Sequence, residues 1–197
     1  MRTRTVLAAA AVLALGATGC GASPSRGGES DKPVDPNAAE VNEAGDIPDD
    51  QAFVAYSTPG GGYSVKVPEG WGRTASGGTV TFTDKLNAIR IETAPAKAPL
   101  TARGTADVEV PKLEKTVKGF QAAKVSTVSR QAGQAVRIDY LADAKTDSVT
   151  GKTGKDAVER YEFFHKGKEL VLTLSGPKGA DNVDPWRIVT DSVQWSG

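Results

Sequence analysis

The sequence predicts an α+β domain in which two main helices pack on a mostly antiparallel sheet. Three observations predict it. Apolar and polar residues alternate in a series of short stretches, the period of a half-buried strand. Several joins between these stretches are glycine turns, too short for the crossovers that a parallel sheet needs. Two further stretches repeat apolar residues at helical spacing, one mid-chain and one near the end.

Two segments of a different kind precede the domain. Arg2 and Arg4 make a positive start, Val6 to Leu15 is apolar, and Ala17-Thr18-Gly19 leads directly to Cys20. This is the pattern of a signal peptide over residues 1–19. Its apolar run falls short of the ~20 residues that span a bilayer. Small residues before the cysteine let an extended backbone enter a signal peptidase, and the thiol is the nucleophile that accepts a diacylglyceryl group. The segment resembles a bacterial lipobox with Ala17 in place of the commoner Leu; an ordinary secretory peptide with an incidental cysteine is the alternative. Cys20 is the only cysteine, so an exported chain that can form no internal disulfide has its one thiol at the processing site. The expected location is the outer face of the cytoplasmic membrane, held by acyl chains.

Residues 20–50 read as the lipidated cysteine and a disordered linker. Ser, Gly, Pro, Asp, Glu and Ala dominate, aromatics are absent, and Val34, Val41 and Ile47 are too sparse to define a buried stripe, so burial would not offset the entropy of ordering. The domain is expected over residues 51–197.

Within it, strands are predicted around Tyr63-Val65-Val67, Val80-Phe82, Ile89-Ile91, Val136-Ile138-Tyr140, Tyr161-Phe163 and Leu170-Leu172-Leu174. Turns are expected at Gly60-Gly61-Gly62, Gly77-Gly78, Gln131-Ala132-Gly133 and Lys166-Gly167, where glycine can take positive φ. The first helix should begin between Asp107 and Val110, so that Pro111 falls in its first turn. It should run to Lys118, with Val110, Leu113 and Val117 on one face and Gly119 as its stop. The second should begin at Asp184-Pro185, an acceptor followed by a proline, with Trp186, Val189 and Val193 on one side.

Tyr63-Ser64-Val65-Lys66-Val67-Pro68-Glu69-Gly70-Trp71, a strand that ends in Pro and Trp near the domain start, resembles the opening of PsbP-like domains. The terminal Trp186-Arg187-Ile188-Val189 with Ser192-Val193 is similar to their close. Asp147-Ser148-Val149-Thr150-Gly151-Lys152, Tyr161, and the run from Gly176 to Asp184 resemble a group of actinobacterial lipoproteins that carry such a domain. The resemblance covers most of the stretch from Phe53 to Trp195 and implies an α/β/α sandwich. It implies no single activity, because function is not carried over with a fold.

Composition excludes several chemistries. Basic and acidic residues number 24 each, and with Arg2 and Arg4 in the leader the mature chain keeps 22 basic against 24 acidic; nucleic-acid binding needs a cationic surplus. Lys152-Thr153-Gly154 and Ser175-Gly176-Pro177-Lys178 spell motifs of penicillin-binding proteins and β-lactamases, but in the reverse of their chain order. His165 is the only histidine and reads as a strand-end surface residue, which leaves no expected serine or cysteine hydrolase. One histidine and one lipidated cysteine cannot make a zinc site. Asp143 with Asp147, or Asp181, Asn182 and Asp184, lack the spacing of a calcium loop and read as turn and cap residues. Trp71, Trp186 and Trp195 read as core. No nucleotide motif opens a helix, so no cofactor or metal is expected.

Three classes remain: a non-enzymatic accessory or binding lipoprotein, monomeric and docked on a protein partner of the cell envelope; a carrier of a small or lipidic ligand; and an enzyme of unrecognised mechanism. The first is favoured. Its working surface is expected in the polar segment Asp143–Asp156, longer than a join between two strands needs, where Lys145, Asp147, Lys152 and Lys155 offer polar contacts.

Overall fold

The structure is a computed structural model and describes residues 44–146 and 151–196. Chain order is β1 (Phe53–Tyr56), β2 (Tyr63–Pro68), β3 (Gly72–Ser76), β4 (Thr79–Asp84), β5 (Asn87–Pro95), α1 (Ala102–Thr116), β6 (Gln121–Arg130), β7 (Gly133–Asp143), β8 (Lys155–His165), β9 (Lys168–Pro177), α2 (Val183–Asp191) and β10 (Gln194–Trp195). Seven strands form one antiparallel sheet in the order β3-β4-β5-β9-β8-β7-β6, and β1-β2-β10 form a second, smaller one. The long connection through α1 carries the chain from β5 to the far edge, and β6 to β9 then return by hairpins until β9 closes against β5.

Turn chemistry fixes these hairpins. Gly77 and Gly78 (φ 56° and 83°) join β3 to β4, and Lys166 and Gly167 (φ 45° and 80°) join β8 to β9; positive φ at both central positions matches the strand twist. The β4–β5 turn has positive φ at the first of its two central residues only, Lys85 at 42°, a join without glycine that sequence reading does not mark.

Alternation sorts the large sheet into two faces. Val80, Phe82, Ile89, Ile91, Leu170, Leu172, Leu174, Tyr161 and Phe163 pack in one core with Tyr63, Val65 and Val67 of β2 and with Trp186, Val189 and Val193 near the chain end. Ile138, Tyr140 and Val158 face the other way and receive Val110, Leu113 and Val117. The small sheet and α2 therefore lie on one side and α1 on the other, the layered arrangement expected, with a second sheet added to one layer.

Three boundaries differ from expectation. The linker does not extend to Asp50. Ile47 is buried in the main core, its N–H donates to Asn182 Oδ1 at 2.8 Å, and the Gly45 carbonyl accepts from Asn87 Nδ2 at 2.9 Å and Asn182 Nδ2 at 3.0 Å. A single apolar residue in a polar segment gives no periodicity, so composition alone could not find it.

Helix α1 begins at Ala102, not between Asp107 and Val110, and Pro111 stands in its interior. The start is set by Thr101, whose hydroxyl accepts from the Gly104 N–H at 3.0 Å, and by buried Thr105, which donates to Glu162 Oε2 at 3.1 Å. Such a cap and anchor offset the backbone hydrogen bond that an interior proline removes. The helix ends at Thr116 with Val117 at its C-cap, two residues short of the expected Lys118, and Gly119 (φ 66°) stands in the turn beyond, against Asp143, where a side chain would not fit.

Helix α2 begins at Val183 with Asn182 at the cap, two residues before the expected cap Asp184 and first helical residue Pro185. The Asn182 side chain makes no cap bond, because both ends of its amide are taken by Ile47, Gly45 and Asn87. Trp186 and Val189 face the core as expected, with Val193 just beyond the helix.

Candidate functional site

Cys20 and Asp147 lie outside the described residues. The ladder between β7 and β8 runs out to Asp143 opposite Lys155, so the segment that joins them is shorter than the sequence suggests. Ala144 N–H to Gly154 O at 3.1 Å and a Thr146–Thr153 hydroxyl contact at 2.8 Å continue the pairing. Lys145 and Lys152 are exposed on this segment. Lys155 is placed differently: its ammonium donates to Asp143 Oδ1 at 2.7 Å and to Gly119 O at 3.0 Å. It clamps the end of the β7–β8 hairpin to the turn after α1, and this hydrogen bond holds the Asp143 carboxyl below the usual range.

A denser polar arrangement lies beside α2. Arg137, Asp139, Glu159 and Tyr161 share the sheet face of the main core, in register across β7 and β8. Arg137 Nη2 donates to Glu159 Oε1 at 2.9 Å and its Nε to Asp139 Oδ1 at 2.6 Å. The Tyr161 hydroxyl donates to Glu159 Oε2 at 2.8 Å and accepts from Arg130 Nη2 at 3.0 Å. Arg130 also donates to Thr190 at 2.9 Å and pairs with Asp191 at 3.7 Å, which meets Arg187 at 3.5 Å. The Arg130 and Arg137 guanidinia lie over the Tyr161 ring, 5.1 and 5.6 Å from its centroid. Burial and the Glu159 charge push the Tyr161 phenol up to about 12, so at neutral pH it is a fixed donor.

Arg130, Arg137, Glu159, Tyr161 and Arg187 line a cleft of about 250 Å³. Arg187 also borders a wider groove of about 480 Å³ along the outside of α2, where Lys66, Gln131, Asp191 and Gln194 surround Ile188, 44% exposed. An exposed aliphatic side chain ringed by charged and amide groups has the composition of a small protein interface, with an apolar centre and polar rim. Sequence reading missed this site. Its one signal was charge: Glu159 alternates in phase with Tyr161 and Phe163 of the main core, whereas Arg137 and Asp139 alternate out of phase with Val136, Ile138 and Tyr140 and read as solvent-facing.

The other constellations are accounted for individually. Lys152-Thr153-Gly154 lies in the β7–β8 connection and not on a strand. His165 stacks on Trp195, with ring centroids 5.0 Å apart. Asp143 is paired with Lys155 and Asn182 is committed to the N-terminal segment; among the described residues no three His, Cys, Asp or Glu are grouped to hold a metal. Trp186 is buried, while Trp71 and Trp195 pack against the same core from its margin, as expected. A cleft of about 330 Å³ beneath the start of α1 includes Leu100, Val136, Phe164 and Glu162, but that carboxylate already accepts from Thr105 and from Arg160 Nε at 2.9 Å.

No family model matches the sequence, and no curated protein matches it. Among solved structures, cyanobacterial PsbP (CyanoP) from Synechocystis sp. PCC 6803 aligns with a TM-score of 0.52 at 16% identity, over 74% of this chain and 93% of that one. The fold is PsbP-like. Two further structures are more distant. One from Bacteroides thetaiotaomicron has a TM-score of 0.44 at 13% identity, covering 73% of this chain and 48% of that chain. Protein PA94 from Pseudomonas aeruginosa has a TM-score of 0.42 at 13% identity, covering 68% and 91%. At 16% identity the likeness to CyanoP speaks for the fold and for no activity.

Proposed function

We propose that this chain is a lipoprotein of the actinobacterial kind, acylated at Cys20 and held on the outer face of the cytoplasmic membrane. Its PsbP-like domain is a binding module without a catalytic step of its own, docked on a protein partner in the cell envelope. The observation that carries the docking reading is the α2 groove, where Ile188 is exposed within a polar rim. The arginine network behind it supports the reading, because each of Glu159, Asp139 and Asp191 is paired with an arginine. That arrangement presets a rigid surface and leaves no carboxylate poised as a base.

Two experiments test the two halves of the proposal. Cys20→Ser should abolish acyl labelling and leave the chain released or unprocessed; mature protein persisting in the membrane fraction would sink the anchor. In intact cells, crosslinking should capture one partner with the wild-type chain and lose it with Ile188→Glu. Replacing residues 144–154 by a short Asn-Gly turn should keep it. If the loop replacement loses the partner and Ile188→Glu keeps it, the contact belongs to the segment that carries Lys145, Asp147 and Lys152. If the wild type captures none, the docking reading falls.

A further inference from the structure

The two ends of the large sheet differ in charge. The β4–β5 turn, the β7–β8 connection, the start of α2 and the clamp that receives Gly45 to Ile47 all lie at one end, as the register of Asp84 with Asn87, Ala88 with Ser175, and Asp143 with Lys155 requires. This end carries Asp46, Asp49, Asp84, Asp143 and Asp181 among its lysines. At the opposite end, none of the connections 57–62, 77–78, 96–101, 131–132, 166–167 and 192–193 contains a carboxylate.

These opposite-end segments meet in one patch. The Ala96 N–H donates to Gly167 O at 3.0 Å, Ser196 N–H to Gly62 O at 3.0 Å, and Lys168 Nζ to Gly61 O at 2.7 Å. Lys97 and Lys166 are exposed beside them, and the half-buried His165–Trp195 stack supplies an aromatic floor. Two carboxylates border this end: Asp191, the last residue of α2, is paired with Arg130 and Arg187, and Glu169 turns to the other face of the sheet, among Glu162, Arg160, Glu109 and Lys112.

We infer that this end, remote from the point where the N-terminal segment joins the domain, is a docking surface for an acidic segment of a protein partner. Charge complementarity selects the sign. The aromatic stack next to Lys166 selects a peptide over a bare anion, because interfaces enrich Trp at their centres whereas a simple ion needs only charge. The surface is distinct from the α2 groove, and it deepens the binding-module reading by naming a partner chemistry.

The test is a titration of the full chain in nonionic detergent micelles with a fluorescein-labelled glutamate-rich peptide, read by anisotropy. The paired reversal Lys97→Glu with Lys166→Glu should weaken binding about tenfold, the sum of two modest surface charge contacts. The reversal Lys85→Glu with Lys178→Glu at the other end should leave binding unchanged. Raising salt to about 150 mM should weaken the wild type toward the doubly reversed chain. Equal losses from both pairs, no saturable binding, or lysine-dependent binding of phosphatidylglycerol vesicles in place of the peptide would each overturn the inference. Because the probe is synthetic, these outcomes do not depend on whether crosslinking in cells finds a partner at the α2 groove.

Discussion

Glu169 sits half-buried on the α1 side of β9, where loss of water and then the charge of Glu162 raise its carboxyl above the ordinary range. A carboxyl raised in this way costs folding energy once it ionises: its contribution is favourable below the unfolded pKa and is lost as pH rises through the folded one. Glu169→Gln should therefore raise the thermal midpoint at pH 7, and the gain should disappear near pH 4, where both states hold the proton; paired melts at the two pH values measure it. Residues of this kind were not legible beforehand. A lone Glu in an alternating strand looks like a solvent-facing position, and only the placement of α1 shows that Glu162 is fully buried and Glu169 half-buried beside it. The apolar members of the same strands were legible, because Leu170, Leu172 and Leu174 repeat at the pleat period and all reach zero exposure.

At the scale of elements, α1 and α2 show two ways in which local signals mislead about a boundary. Pro111 is rare enough inside a helix that placing it in the first turn is the natural expectation, yet Thr101 caps a helix that begins well before it. Asp107 loses the N–H that an ordinary residue at 111 would donate to its carbonyl. Pro111→Ala should restore that bond and stabilise the chain by about 1–3 kcal/mol in a denaturant titration, part of the gain being lost to a more flexible unfolded state. In α2 the face was correct and the cap was not. Trp186 is 5% exposed and meets Trp71 edge to face, with centroids 6.4 Å apart at 87°. Trp186→Ala should cost about 3–5 kcal/mol, and a loss under about 1 kcal/mol would remove it from the core. Strand β6 went unread for a simpler reason: it is an edge strand, and of its residues Val125 packs with one core and Val128 with the other, which leaves no alternating set to see.

For the molecule as a whole, the domain begins before the point where composition stops looking like a linker. A chain that starts at Gln51 lacks Ile47 and leaves the Asn87 and Asn182 amides without the Gly45 carbonyl and Ile47 N–H they bind. It should be less stable than one starting at Ala44 by about 2–5 kcal/mol, the burial of one aliphatic side chain plus unpaired buried amides. Equal denaturation midpoints would return residues 44–50 to the linker. The α2 groove has a similar history, since it is assembled from β2, the β6–β7 turn, α2 and β10, and no single stretch of sequence brings those four together.

The same clamp decides how the domain bears mechanical load. Tension applied through the N-terminal segment arrives first at Gly45 to Ile47, held by three hydrogen bonds from or to two asparagine side chains and a fourth between Asp181 N–H and Asp46 at 2.9 Å. Beyond it the pull reaches β1 at Phe53, the end of a four-residue edge strand paired antiparallel with β2, so a pull directed across the strand opens its hydrogen bonds one at a time, like a zipper. The first step loads the seven-stranded sheet only through the Asn87 side chain at the start of β5, and the second opens a separate ladder. Stretching from the N-terminus should thus give a small early extension at low force, followed by a larger and stronger event when the main sheet yields.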